Sequence, residues 1–96
     1  MAFIIGKWSD ESKADSRIQG IADDVKVAVE GKLQKKMTTY KVISYRQQIV
    51  LGMNYLIKIQ TFNGYIHIKV FVSSSGSALL RDIQEKKTLK DPLNPF

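Results

Sequence analysis

A chain of 96 residues supports one hydrophobic core and not two, so we expect a single domain over residues 1–96. The composition is 44% hydrophobic and 25% charged with no cysteine, which excludes a disordered chain, a fibre and a disulfide framework. The formal charge of +6 leaves nucleic acid or an acidic protein open as a partner.

The first 15 residues have no sustained hydrophobic period and predict an extended, partly mobile arm. The apolar run in MAFIIG is short and follows no basic residue, which argues against a signal peptide or a membrane span. Together with the absence of cysteine, this predicts a cytoplasmic protein, and release by a non-classical route stays open.

An amphipathic helix is predicted over residues 18–33. Apolar residues recur there at spacings of three, four and seven, which form one stripe of a helix. They are Ile18, Ile21, Ala22, Val25, Val29 and Leu33. Ser16, with Gln19 three positions later, has the spacing of a capping box and predicts the start of this helix.

Four antiparallel strands are predicted after the helix, from alternating β-branched and aromatic residues. They cover residues 40–50, 54–62, 65–72 and 78–85. Asn63-Gly64 predicts a type I′ turn between the second and third strands, and the serine-rich segment 73–77 predicts the next loop. Two prolines make the C-terminal segment irregular, and Pro92, Leu93 and Phe96 are predicted to pin it. One helix on such a sheet is the α+β class.

The chemistry of an enzyme is not apparent in this chain. Without cysteine there is no thiolate nucleophile, and phosphate-binding glycine motifs are missing. His67 lies mid-strand between isoleucines, which is typical of an exposed or half-buried sheet residue rather than a general base. The acidic pairs at 10–11 and 23–24 are neighbours in sequence, and such neighbours do not face each other on a helix. We therefore predict a binding protein with no catalytic residue, no metal and no cofactor.

The lysines are scattered through the chain. They include Lys32, Lys35 and Lys36 after the helix and Lys86, Lys87 and Lys90 near the end. Scattered basic residues outside a recognised binding motif are typical of solvated faces. We predict neither nucleic acid nor a membrane as a partner, and a basic module that binds nucleic acid or an acidic protein is the alternative function.

Residues 48–52, Gln-Ile-Val-Leu-Gly, place apolar side chains where two strands reverse direction. They end a buried strand at a glycine bulge, or they form an exposed surface for a partner. The residues by themselves favour neither interpretation.

This stretch resembles the Gln-x-Val-x-Gly signature of the cystatins, and the following MNYLIKIQ is similar to the TNYFIKV of stefins, the type 1 cystatins. The likeness spans essentially the whole chain. Gly6 stands where the family keeps a glycine near the N-terminus, and Ile18-Gln19 opens the helix as in stefins. HIKVF resembles HLRVF or HLKVF, and DPLNPF stands where stefins have DELTYF or DELTGF.

The resemblance implies a reversible, tight-binding inhibitor of papain-like cysteine proteases such as cathepsins. It implies one long helix packed across a curved antiparallel sheet of four to five strands, with three segments forming a wedge that blocks the active-site cleft. Carried over to this chain, the protease-binding residues are Ile4, Ile5, Gly6, Gln48, Ile49, Val50, Leu51, Gly52, Ser74, Ser75 and Gly76.

The chain departs from the stefin pattern at two places. Its second loop, residues 73–77, is polar where stefins have Leu-Pro-Gly, so the arm and first loop are expected to carry more of the affinity. Leu51 and Met53 replace the alanine and threonine usual in stefins, and burying one such side chain stabilises a complex by about 1.5–3 kcal/mol. A fold retained without inhibition is a third interpretation. The strained turn at 48–52 also predicts a monomer that exchanges into a domain-swapped dimer.

Overall fold

The structure is a computed structural model that describes residues 6–96, and it consists of a five-stranded antiparallel sheet with two helices. The elements are β1 (Ser12–Lys13), α1 (Ser16–Asp24), α2 (Lys26–Leu33), β2 (Tyr40–Val50), β3 (Gly52–Thr61), β4 (Gly64–Val72) and β5 (Ala78–Lys87). The strands lie in the order β1-β2-β3-β4-β5. The α+β class is confirmed. Within residues 6–96, no helix is long and apolar enough to cross a membrane.

The predicted helix is present but is divided at Val25, whose φ of −103° and ψ of 6° are not helical. The predicted capping box is wrong. Asp15 is the N-cap, and its carboxylate accepts a hydrogen bond from the amide of Ile18 at 3.1 Å. The helix thus begins at Ser16 with a different capping residue from the one the sequence indicates.

Gln19 does not complete a capping box because its side chain is bonded to β2. Its Oε1 accepts from the amide of Val42 at 2.9 Å, and its Nε2 donates to the carbonyl of Tyr40 at 3.2 Å. Tyr40 in turn donates from its hydroxyl to the carbonyl of Ala22 at 2.8 Å. These bonds fix the helix against the first long strand.

The main core lies between the helices and one face of the sheet. Four residues of the predicted helix stripe are buried there: Ile18, Ala22, Val25 and Val29. The strands contribute the alternate residues Tyr55, Ile57 and Ile59 of β3 and Ile66, Ile68 and Val70 of β4. The predicted amphipathic stripe is confirmed, since Ile21 and Leu33 also pack against this cluster.

The register of β3 and β4 moves the second turn by one residue from its predicted position. Ile57 pairs with Ile68 across the two strands, and Thr61 pairs with Gly64. The two loop residues are therefore Phe62 and Asn63, and neither has a positive φ. The predicted type I′ turn at Asn63-Gly64 is wrong, because burial of the paired isoleucines sets the register.

The opposite face of the sheet is covered by residues 88–96. Side chains alternate along β3, so Leu56 and Lys58 point away from the helices. Leu56 is fully buried, as is Leu93 of the C-terminal segment, and neither belongs to the helix-side core. His67, predicted to be exposed or half-buried, is fully buried on this face.

Candidate functional site

The end of the sheet that carries the β2–β3 turn brings together three segments of the chain. Val50 pairs with Gly52, so Leu51 alone forms the tip of the first hairpin. Met53 pairs with Val72, which places the loop at 73–77 beside that tip. The amide of Gly6 donates to the carbonyl of Ile49 at 2.9 Å, on the other side. We call Gly6, residues 48–52 and residues 73–77 the loop end.

The tip of the first hairpin exposes apolar side chains. Leu51 is 77% exposed and Ile49 is 62% exposed, whereas Val50 is half-buried. At the base of the tip, Nδ2 of Asn54 donates to Oε1 of Gln48 at 3.1 Å, across the paired strands. Of the two interpretations of this stretch, the exposed surface describes Ile49 and Leu51, because neither side chain is covered within residues 6–96.

Gly52 allows the first hairpin to lie against the second. Its φ is +110°, a conformation that residues with a side chain rarely adopt. A Cβ atom at this position would lie 2.6 Å from the carbonyl oxygen of Val72 and 3.0 Å from the ring of Phe71. The close approach of β3 to the end of β4 therefore requires glycine.

The arm runs antiparallel to β2 as far as the tip. Its contacts with β2 are Gly6 to Ile49, Ser9 to Gln47, Ser12 to Tyr45 and Ala14 to Ile43. A Cβ atom on Gly6 would lie 3.1 Å from the carbonyl oxygen of Ile49, so the two backbones are in close contact. Residues 6–14 thus lie beside β2 and pair with it at these positions. Ile4 and Ile5 lie outside the described residues.

Two basic side chains, which the sequence interpretation assigned no role, attach the arm to the sheet. Nε of Arg46 donates to the carbonyl of Ser9 at 2.7 Å, and its Nη1 donates to the carbonyl of Leu93 at 3.0 Å. Nζ of Lys58, a residue only 3% exposed, lies 3.5 Å from a carboxylate oxygen of Glu11. For Lys58, the sequence shows only a cation on the strand face opposite Ile57 and Ile59.

Glu11 carries the acidic half of this attachment. Burial alone would raise the pKa of its carboxyl, but the hydrogen bond from Ser44 and the charge of Lys58 outweigh it and hold that pKa below its ordinary value. Lys58 also donates to the carbonyls of Leu89 and Asp91, both at 2.8 Å. The buried ammonium therefore has three oxygen partners, from the arm and the C-terminal segment together.

The second hairpin loop is polar and bonded to itself. The amide of Ser73 donates to the carbonyl of Ser77 at 2.9 Å, and the hydroxyls of Ser73 and Ser75 lie 2.8 Å apart. Ser74, Ser75 and Gly76 are exposed at the loop end but offer no apolar side chain. This loop is therefore an ordered, hydrophilic neighbour of the apolar tip.

The loop end carries the exposed apolar side chains of Ile49 and Leu51. Two grooves lie at the other end of the strands, near residues 35–39 and the turn at Phe62 and Asn63. An exposed apolar tip flanked by two hydrogen-bonded segments suits burial in a cleft of a partner.

Comparison with known proteins identifies the family to which this chain is similar. A family model described as the cystatin domain matches residues 6–91. Stefin-C of Bos taurus is 40% identical, with 96% of this chain and 95% of the relative covered, and cystatin-A of Bos taurus is 42% identical, with 97% and 99% covered. Cystatin-A2 of Dictyostelium discoideum is 35% identical, with 96% and 97% covered.

This chain belongs to the cystatin family and, within it, to the stefin type. Proteins of this family inhibit cysteine proteases and are not enzymes, so the chain is classed as a protease inhibitor. The resemblance drawn from Gln48, Val50, Gly52 and the flanking segments is thereby confirmed.

Proposed function

We propose that this chain is a reversible, tight-binding inhibitor of papain-like cysteine proteases, cathepsins among them, and that it blocks the active-site cleft with the arm and the first hairpin loop. The observation that carries the proposal is the exposed apolar tip at Ile49 and Leu51, held between two hydrogen-bonded segments. The proposed contact residues are Ile4, Ile5, Gly6, Gln48, Ile49, Val50, Leu51, Gly52, Ser74, Ser75 and Gly76.

The tip supplies apolar surface that only a partner would bury. Leu51 and Ile49 retain most of their exposure in the free chain, and burying each side chain stabilises a complex by about 1.5–3 kcal/mol. The turn is held by the backbone pairing of β2 with β3, and Met53 beside it pairs with Val72 of β4. A loop that is already ordered loses little conformational entropy on docking, which favours tight binding.

The arm brings Gly6 beside the tip. Gly6 lies in contact with the backbone of Ile49, so Ile4 and Ile5 precede the point where arm and tip meet. In the proposed complex these two side chains enter substrate pockets of the cleft. Gly6 then lets the backbone pass the catalytic centre and turn away without presenting a peptide bond for cleavage.

The chain is proposed to be a cytoplasmic monomer that forms one domain, residues 1–96. When the first hairpin opens, β2 or the strands paired with it would be exchanged with a second copy. The hinge would be residues 48–52, because Gly52 there has a conformation that few residues adopt. Size-exclusion chromatography after mild heating would show a dimer beside the monomer, and monomer alone would contradict the exchange.

Titration of active-site-calibrated papain with the purified chain tests the proposed function. We expect stoichiometric, reversible inhibition. Deletion of residues 1–6 and Gly52→Val should each raise the inhibition constant by more than about tenfold. Unchanged inhibition by both variants would contradict the assigned contact surface. Repeating the titration across salt concentrations addresses the alternative basic module, since phosphate binding weakens steeply with salt and apolar docking does not.

A further inference from the structure

We infer that Arg46 is a positioning residue for inhibition: it holds the arm against the first hairpin by joining the arm to the C-terminal segment, residues 88–96. The inference rests on the proposed role of the arm in the cleft. It assigns a function to a side chain that lies away from the loop end and to a segment on the opposite face from the helices.

The position of Arg46 in β2 directs it to the face that carries both segments. Its neighbour Tyr45 packs against the helix-side core, so Arg46 points to the other face by alternation. There the planar guanidinium reaches two carbonyl oxygens at once, that of Ser9 at 2.7 Å and that of Leu93 at 3.0 Å. A planar fork of donors suits two acceptors held in fixed directions.

Ser9 transmits this attachment to the tip. Its amide donates to the carbonyl of Gln47 at 2.8 Å, and its hydroxyl accepts from the amide of Gln47 at 2.9 Å. Three residues earlier, the amide of Gly6 donates to the carbonyl of Ile49. Residues 6–9 of the arm are therefore bonded to β2 at both ends. Loss of the bond from Arg46 to Ser9 would loosen this part of the arm.

The C-terminal segment provides a fixed support for Arg46. Leu93 is 1% exposed, and its neighbours in sequence are held by the ammonium of Lys58 through the carbonyls of Leu89 and Asp91. The same ammonium pairs with Glu11 of the arm at 3.5 Å. Arg46 and Lys58 thus form two parallel connections between the arm and residues 88–96, and Arg46 is the one nearer to the tip.

Arg46→Gln tests the inference, because glutamine removes the positive charge and one of the two hydrogen bonds that the guanidinium donates. Lys41→Gln is the matched control: it makes the same charge change on the same strand at an exposed residue with no side-chain hydrogen bond in the described part of the chain. Two readouts are needed, amide hydrogen exchange at Gly6 and Ser9, and inhibition of papain with and without residues 1–6.

We expect faster exchange at Gly6 and Ser9 in Arg46→Gln, with unchanged exchange in β3 and β4, and inhibition weaker on the order of tenfold. Without residues 1–6, the same substitution should change inhibition by less than about twofold. Lys41→Gln should alter neither readout.

The inference is overturned if exchange at Gly6 and Ser9 stays at the wild-type rate in Arg46→Gln. It is also overturned if Arg46→Gln inhibits normally while deletion of residues 1–6 weakens inhibition, or if the substitution has the same effect with and without those residues. Normal inhibition by the deletion variant alone would instead contradict the role of the arm in the proposed function.

Discussion

Gly52 and Val72 lie so close together that a single methyl group on Gly52 would not fit without a shift of the neighbouring backbone. The Cβ of an alanine at position 52 would lie 2.6 Å from the carbonyl oxygen of Val72. Gly76 in the neighbouring loop also has a left-handed φ, +93°, but no atom lies within 4 Å of its Cβ position. Substituting the two glycines therefore distinguishes two effects on stability. Both positions have a left-handed φ, but only Gly52 also has a close steric contact.

Gly52→Ala should destabilise the chain more than Gly76→Ala. The control substitution carries only the strain of its φ, about 1–2 kcal/mol, whereas Gly52→Ala adds the overlap with Val72, for a total of about 2–5 kcal/mol. Urea unfolding followed by circular dichroism measures both. Gly52→Ala should also weaken papain inhibition by moving the tip. Equal losses in the two variants would show that the contact with Val72 relaxes freely.

Leu51→Ser should weaken inhibition without affecting stability. The side chain is 77% exposed in the free chain, so its removal should change the free energy of unfolding by less than about 0.5 kcal/mol. Loss of its burial in a protease cleft should raise the inhibition constant on the order of ten- to a hundredfold.

Phe62→Ser is the matched control for the tip. Phe62 is 84% exposed and lies in the turn at the other end of the strands, so its loss should leave the inhibition constant of papain unchanged. If both variants weakened inhibition equally, the effect would come from general loss of apolar surface and not from the tip.

Ser74→Leu should strengthen inhibition, because it adds an apolar side chain to the polar loop beside the tip. Ser74 is exposed and its hydroxyl makes no hydrogen bond in the described residues, so the loop should keep its fold. We expect an inhibition constant lower by roughly three- to tenfold. Thr38→Leu, at an exposed residue outside the loop end, should have no effect. An unchanged constant in Ser74→Leu would place this loop outside the interface.

His67 should make the fold less stable in mild acid. Burial, followed by the charges of Lys58 and Lys87, lowers the pKa of this histidine from 6.5 to about 4, while Asp91 and Glu11 act weakly in the opposite sense. Both ring nitrogens are buried and have no hydrogen-bond partner in the described part of the chain. The folded chain therefore holds this imidazole neutral where the unfolded chain would protonate it.

The sign of the pH effect follows from this difference. Between pH 6.5 and pH 4 the unfolded state binds the extra proton, so the free energy of unfolding falls as the pH falls, by about 3 kcal/mol in total. His67→Leu should remove most of that dependence, as measured by urea unfolding at pH 7 and pH 5. If the free energy of unfolding of the variant had the same pH dependence, the effect would belong to other groups. Glu11 is one such group, but its lowered pKa means that it titrates at lower pH.

Hydrophobic periodicity predicted the helix and strands in which apolar side chains recur at regular spacing. It failed where residues far apart in the sequence determine the local structure. The helix stripe and the alternation of β3 and β4 were visible in the sequence. The capping box failed because Gln19 bonds to residues 40 and 42, which no local pattern reveals. Strand β1 was read as part of the arm because its two residues, Ser12 and Lys13, are exposed and too few to alternate.

The candidate site divides in the same way. The motif at 48–52 indicated which residues lie at the turn, but exposure of Leu51 and the contact of Gly52 with Val72 needed the packing of two hairpins. No pattern in the sequence assigns a role to Arg46 or Lys58. Their actual partners are backbone carbonyls of the C-terminal segment, and a sequence carries no signal for which carbonyls stay free of the sheet.

The turn at Phe62 and Asn63 offers a practical point of attachment. It lies at the opposite end of the strands from the loop end, and both residues are exposed. A fluorophore, an affinity tag or a surface linker placed there would leave the loop end, the proposed contact surface, free for kinetic and pull-down assays. A fusion at the N-terminus would instead extend the arm that the proposed function places in the protease cleft.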